Sequence, residues 1–198
     1  NGDLFRTISE GSVSVATDRI AGFTEGGIKL ESGEELEADV IVTATGLNLL
    51  FLGGMRLSVD GEEVDPAGRM TYKTMMLSGV PNLAFVIGYT NASWTLKADL
   101  AAEYVCRLLS HMDARGQSRC VPELTDAAVT EEPVFNLNSG YIMRSAHLLP
   151  KQGSKAPWRL RQIYALDART LRRGPIDDGA LRFSSPAPRI EPLEKVTA

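Results

Sequence analysis

From Leu96 onward the apolar positions recur every fourth residue, at Leu96, Leu100, Tyr104, Leu108 and Met112, with Ala101, Val105 and Leu109 beside them. That spacing predicts an amphipathic helix. Asn91 or Ser93 can cap its start, and Asp113-Ala-Arg-Gly116 supplies its stop. Ahead of it the pattern changes. Asp39-Val-Ile-Val-Thr-Ala-Thr-Gly46 begins acidic, continues apolar and leaves through small residues, the pattern of a buried parallel strand that delivers its end to a ligand. Leu83-Ala-Phe-Val-Ile-Gly88 repeats it, and Tyr89-Thr-Asn-Ala-Ser-Trp-Thr95 leads from there into the helix. Two such strand ends imply an α/β protein that handles a dinucleotide.

Shorter alternations surround these segments. Ser12 to Ala16, Ile20 to Phe23 and Gly27 to Leu30 predict a small meander, with a hairpin about Glu25-Gly-Gly27, feeding the first apolar run. Residues 55–65 alternate about Asp60-Gly61, a second hairpin, and Ser78-Gly-Val-Pro-Asn82 reads as a turn into the second apolar run. Beyond Gly116 the periodicity fades. Val121 to Val129 is ambiguous, Asn138-Ser-Gly140 and Pro150 to Pro157 read as loops, and Trp158 to Leu171 is expected to include a short helix. Ser184 to Ala198, with its prolines and charges, reads as a flexible tail.

Composition narrows the classes. At 198 residues and 43% hydrophobic the chain can bury one sizeable core. Its apolar runs stop well short of the roughly 20 residues of a membrane helix. Cys106 and Cys120 are too few for a disulfide framework and too far apart for a Cys-x-x-Cys redox pair, and a cytoplasmic location is expected. His111 and His147 do not suggest a metal centre. The net charge of −4 is uneven: residues 1–143 hold 10 Lys/Arg against 20 Asp/Glu, whereas residues 144–173 hold 8 against 1. Without regularly interleaved stacking aromatics, that basic stretch reads as a solvated face or as a surface docked on acidic residues, not as a nucleic-acid patch.

No G-x-G-x-x-G phosphate loop occurs in the chain, so the opening βαβ unit of a dinucleotide fold is missing, and the sequence starts at Asn1 without Met. It is expected to be the C-terminal part of a longer enzyme.

The ordered set of residues is specific. The Asp39–Gly46 strand, the Pro81-Asn-Leu-Ala-Phe85 entry and Gly88-Tyr-Thr-Asn-Ala-Ser-Trp-Thr-Leu-Lys97 together resemble flavin-dependent class B monooxygenases. Adding Tyr72-Lys73, Met75-Met76, Ser139-Gly-Tyr141, Leu149-Pro-Lys-Gln-Gly153 and Pro157-Trp158, the chain looks most like the Baeyer–Villiger monooxygenases of the ethionamide-activating type, from Asn1 to about Phe183. The resemblance implies an incomplete two-dinucleotide-binding-domain flavoprotein, FAD/NAD(P)-binding and Rossmann-like, with a β-meander and an irregular C-terminal segment. Residues 1–46 would end an NADPH-binding domain, 47–112 return to the FAD-binding domain, 113–183 pack on it, and 184–198 form the tail.

It further implies FAD and NADPH as cofactors, and insertion of one oxygen atom of O2, through a C4a-peroxyflavin, into a ketone or a sulfur or thioamide compound. The alternatives are an N- or S-oxygenating flavin monooxygenase and a non-catalytic module derived from the fold. No catalytic side chain is singled out, because the cofactor performs the chemistry. The cofactor-binding residues implied are Thr45, Gly46, Gly88, Tyr89, Asn91, Ala92, Trp94, Thr95 and Leu96, the helix start offering free N–H groups to reduced flavin. Trp94 reads equally as a cover over flavin or substrate and as a packing anchor, and Asn91 as a ligand or a helix cap. Thr45 and Gly46 resemble an interdomain hinge, and Tyr72 and Lys73 read first as ordinary loop residues. The chain alone is expected to be inactive and to self-associate through uncovered apolar surface.

Overall fold

The computed structural model describes residues 2–137, 139–159 and 161–185. The chain divides into two compact units, Asn1–Gly46 and Leu47–Ala198.

The first unit opens with helix α1 (Asp3–Ser9), where Arg6 lies 3.0 Å from Asp3. Strands β1 (Ile20–Phe23), β2 (Gly27–Leu30) and β3 (Glu35–Glu37) then form an antiparallel sheet in that order. The predicted hairpin is therefore present. Gly27 is required in it: φ is 155°, and a Cβ would stand 2.0 Å from the Leu36 carbonyl oxygen. Ser12 to Ala16, expected to alternate as a strand, forms none and is exposed.

The larger correction concerns Asp39 to Gly46. These residues are not in a strand, and Val40 and Val42 are 79% and 84% exposed. The physical reason is pairing. A parallel strand needs a neighbour to satisfy its N–H and C=O groups, and among the described residues no backbone group from 39 to 46 has a hydrogen-bond partner.

The second unit is mixed helix and strand. Strands β4 (Leu57–Val59) and β5 (Glu62–Val64) form the hairpin predicted about Asp60-Gly61, whose φ values of 54° and 88° suit a two-residue turn. Strands β6 (Thr71–Tyr72) and β7 (Met76–Leu77) make a shorter hairpin. Helix α2 (Trp94–Asp113) is the predicted long helix, followed by β8 (Arg119–Pro122) and β9 (Glu131–Pro133). Helix α3 (Gly140–Ser145), β10 (Lys151–Gly153), helix α4 (Tyr164–Arg173) and β11 (Leu181–Ser184) complete the order. β9 pairs with β10 and β8 with β11, all antiparallel, and the one parallel contact described is a single bridge from Met70 to Lys151. Leu83 to Gly88, expected as a second buried strand, is extended but belongs to no sheet. Leu83, Phe85 and Ile87 turn inward against apolar side chains, while Val86 is 42% exposed. Ser184, assigned to the tail by sequence, pairs with Arg119; residues 186–198 and Asn138 lie outside the described residues.

The core forms where α2 lays its stripe on the β6–β7 hairpin and α4. Leu100, Tyr104, Leu108 and Met112 are buried with Tyr72, Met75, Met76, Trp158, Leu171 and Leu181. Leu96 is not part of that stripe, since it is exposed and the buried row begins at Lys97. Arg107 clasps the end of α4 by donating to the carbonyls of Leu171 and Gly174, which gives that helix C-terminus a cation. Among the described residues no helix is long and apolar enough to cross a membrane.

Because Leu100 is fully buried, Leu100→Ala is expected to destabilise the chain by about 2–5 kcal/mol in urea unfolding. Leu109→Ala, at a site 54% exposed on the same helix, is expected to change stability by no more than about 0.5 kcal/mol.

Candidate functional site

The corner between the extended segment ending at Gly88 and the start of α2 is built on contrast. Ile87, Gly88 and Tyr89 are buried, and Thr90 to Leu96 are exposed without interruption. Gly88 lies directly under the Trp94 ring, where a Cβ would come within 2.2 Å of ring carbons. Trp94 is therefore anchored by one face while remaining 58% exposed.

The expected cap is absent. Ser93 occupies the N-cap position but bonds no helix N–H, its hydroxyl lying 2.7 Å from that of Thr95. Asn91 turns away to donate to the backbone carbonyl of Gln162, and the Thr90 N–H donates to the Gln162 side chain. The first turn of a 20-residue helix thus presents backbone donors with no side-chain cap and no acidic residue over them. Ala92, Trp94, Thr95 and Leu96 surround this opening. Thr45 and Gly46 close the first unit, exposed, with Gly46 at φ 93°.

Of the residues that brace the corner, the sequence reading singles out Tyr89, as a cofactor-binding residue, but not Lys97 or Asp167. Lys97 Nζ lies 2.7 Å from Asp167 Oδ2, with the two side chains 4% and 2% exposed, and the Tyr89 hydroxyl donates to the same oxygen at 2.9 Å. Burial lowers the Lys97 pKa against the opposing effect of Asp167, and raises that of Tyr89. The available signal was a lysine on the buried row of α2, one turn before Leu100. Such a residue needs a buried partner.

A second network lies beside it. Lys73 Nζ is 2.8 Å from Asp178 Oδ2 and 3.2 Å from the Tyr104 hydroxyl, and the Tyr72 hydroxyl donates to Asp178 at 2.8 Å. Tyr72 and Lys73, read from sequence as ordinary loop residues, are thus buried. Lys73 and Thr74 have φ values of 50° and 54°, a left-handed turn closed by the Met75 N–H on the Tyr72 carbonyl. Such backbone persists for non-glycine residues where the surroundings fix it, and here the ammonium is held from three sides. Burial lowers the Lys73 pKa and raises those of Tyr72 and Tyr104.

The basic stretch docks in part on acidic residues. Lys155 pairs with Asp126, Arg159 with Glu132 and Arg172 with Glu103. Cys120 lies in β8 and is buried, while Cys106 is exposed on α2. Among the described residues no group of three or more His, Cys, Asp or Glu could hold a metal ion.

The sequence relatives of this chain include proteins named FAD-containing or FAD-binding monooxygenases. FAD-containing monooxygenase EthA of Mycobacterium tuberculosis is 56% identical over 189 residues, which is 95% of this chain and 39% of that protein. EthA of Mycolicibacterium smegmatis is 54% identical over 93% of the chain and 37% of its own length, and "Probable FAD-binding monooxygenase AlmA" of Acinetobacter baylyi is 46% identical over 96% and 39%. The chain spans about two fifths of the length of these curated relatives. No protein-family model matches it. The resemblance drawn from its motifs thus holds across nearly the whole chain.

The buried tyrosine hydroxyls and the Cys120 thiol set an alkaline limit on stability. Tyr72, Tyr89 and Tyr104 keep their protons to higher pH when folded, whereas unfolded tyrosine ionises near about 10. Above that pH the unfolded state alone releases them, so stability falls as pH rises. Cys120, pushed up to about 11 by burial, contributes the same sign from about pH 8.5. Lys73 and Lys97, lowered on folding, contribute stability that grows with pH up to about 10.4 and no further. The urea midpoint is expected to fall steeply above about pH 10.4, and Tyr89→Phe to reduce that slope by about one proton. A slope unchanged in the variant would contradict the assignment. At neutral pH, Asp167→Asn is expected to cost about 3–5 kcal/mol, because it leaves a buried ammonium without its anion.

Proposed function

We propose that the chain is the cofactor-corner and C-terminal portion of an FAD- and NADPH-dependent monooxygenase, a protein that inserts one oxygen atom of O2 into ketones or oxidises sulfur and thioamide compounds. The observation that carries this reading is 56% identity to an FAD-containing monooxygenase across 95% of the chain. In this reading residues 1–46 end a Rossmann-like NADPH-binding domain, with Thr45 and Gly46 at the passage between domains. Residues 47–112 belong to the FAD-binding domain, and 113–183 support it.

The residues present fit a flavin. An uncapped helix start suits an electron-rich ring edge, and the contiguous exposure of Thr90 to Leu96 leaves room for a group to lie there. Asn91, Ala92, Trp94, Thr95 and Leu96 would hold it, with Gly88 and Tyr89 behind them. The bound cofactor supplies the redox and oxygen chemistry. The chain's own residues orient and shield: the first-turn N–H groups of α2 supply fixed donors, Trp94 covers apolar space and excludes water, and the Lys97–Asp167–Tyr89 network keeps the corner in place.

The test is a graft of this chain for the aligned segment of Mycobacterium tuberculosis EthA. The chimaera is expected to retain flavin through gel filtration and to consume O2 with NADPH and a ketone. A folded chimaera that loses flavin would overturn the reading. Within it, Gly88→Ala forces the Trp94 ring away and is expected to weaken flavin retention at least about tenfold, roughly 1.4 kcal/mol.

The same reading leaves apolar surface uncovered in the 198-residue chain by itself. Val40, Val42, Leu47 and Leu50 are each 65% exposed or more. The isolated chain is expected to self-associate in a sedimentation concentration series and to lack turnover. A monodisperse monomer with cooperative unfolding would contradict this.

A further inference from the structure

A cavity of about 1160 Å³ in the second unit contains Lys73 and is walled by residues from the β10 side and from α4 and its lead-in. Ordinary small-molecule sites occupy about 300–1,000 Å³, so the space is ample for one. Its charges do not balance. The cations on its wall are Lys73, Lys155, Arg159, Arg161 and Arg169, and the carboxylates are Asp167 and Asp178. Lys73 is paired with Asp178 at 2.8 Å, Lys155 with Asp126 at 2.7 Å and Arg159 with Glu132 at 2.9 Å. Asp167 is taken by Lys97 at 2.7 Å. Among the described residues, the side chains of Arg161 and Arg169 have neither a carboxylate partner nor a hydrogen-bond acceptor. Among the described residues, Arg161 and Arg169 therefore line one cavity without a carboxylate between them.

The remaining wall is apolar where it matters. Ile163 and Leu166 line the cavity yet are 51% and 41% exposed, and Val134 and Phe135 line it as well. Leu166 and Arg169 lie one turn apart on α4, so an apolar and a cationic contact are offered by the same helix.

We propose that this cavity is a binding site for an organic anion, a carboxylate or phosphate on an apolar body, with Arg161 and Arg169 holding the anionic group and Ile163 and Leu166 covering the body. A guanidinium matches either head group through paired N–H donors. Apart from Thr90, which also lines the cavity, no residue of the 88–96 corner is involved, so the assignment stands whether or not flavin binds there.

The experiment is calorimetric titration of the full 198-residue chain with octanoate, octyl phosphate, octanol and inorganic phosphate. At least one of the two octyl anions is expected to bind at a single site, with octanol and inorganic phosphate at least about tenfold weaker. The stronger of the two anions identifies the head group. Raising ionic strength is expected to weaken anion binding in the unaltered chain. The double variant Arg161→Gln, Arg169→Gln, made at exposed positions, is expected to lose at least about tenfold in affinity and most of that salt dependence. Octanol binding as tightly as both anions, inorganic phosphate binding equally well, salt-independent affinity, or absence of millimolar binding by either octyl anion would each overturn the proposal, independently of any result on flavin.

Discussion

An ammonium and a carboxylate buried together, Lys97 and Asp167 at 2.7 Å, tie the start of α2 to α4, and Tyr89 adds its hydroxyl to the same carboxylate oxygen. Neither charge would be tolerated there alone, since desolvating an unpaired ion costs several kcal/mol. The consequence is positional. Tyr89 precedes the exposed corner, Lys97 follows it and Asp167 sits on α4, so one carboxylate oxygen fixes both ends of the seven residues from Thr90 to Leu96. Those residues can stay uncovered and still hold one shape.

The neighbouring network repeats the device. Lys73, Tyr72, Tyr104 and Asp178 place an ion pair among aromatic rings, the Lys73 Nζ lying 4.7 Å from the centroids of both tyrosines. Tyr104 belongs to α2 and Tyr72 to the β6–β7 hairpin, so the network joins the same helix to a different element. Apolar packing supplies most of the favourable energy of this core, whereas two directional networks determine which face of α2 meets which partner. The left-handed Lys73-Thr74 turn is the local strain accepted for that arrangement.

What could be read in the sequence was what depends on local chemistry. The α2 stripe, the Asp60-Gly61 hairpin and the hairpin about Glu25-Gly-Gly27 follow from periodicity and turn residues, and all are present. The two apolar runs failed as strands for a shared reason. Composition reports that a segment wants burial, but a strand exists only if another backbone lies beside it, and that partner is remote information. Asp39 to Gly46 finds none among the described residues; Leu83 to Gly88 finds apolar side chains on one face and a single backbone bond, from the Phe85 N–H to the Met75 carbonyl, without a strand ladder. The corner residues were legible through their motif. The ion pairs bracing them were not, because Lys97 to Asp167 and Lys73 to Asp178 are separated by 70 and 105 residues along the chain.

Gln162 shows how the corner and the cavity are joined. Its side-chain oxygen accepts from the Thr90 N–H, its backbone carbonyl accepts from Asn91, and it stands on the cavity wall just ahead of α4. Asp167, five residues later, braces Tyr89 and Lys97 while also lining that cavity. The lead-in and first turns of α4 therefore serve two surfaces at once. A group that enters the cavity and shifts α4 must disturb Gln162, which holds the Thr90 N–H and the Asn91 side chain, or Asp167, which holds the side chains of Tyr89 and Lys97. Coupling between two such surfaces requires shared rigid elements with contacts to each, and α4 with its lead-in meets that requirement through three hydrogen bonds and one ion pair.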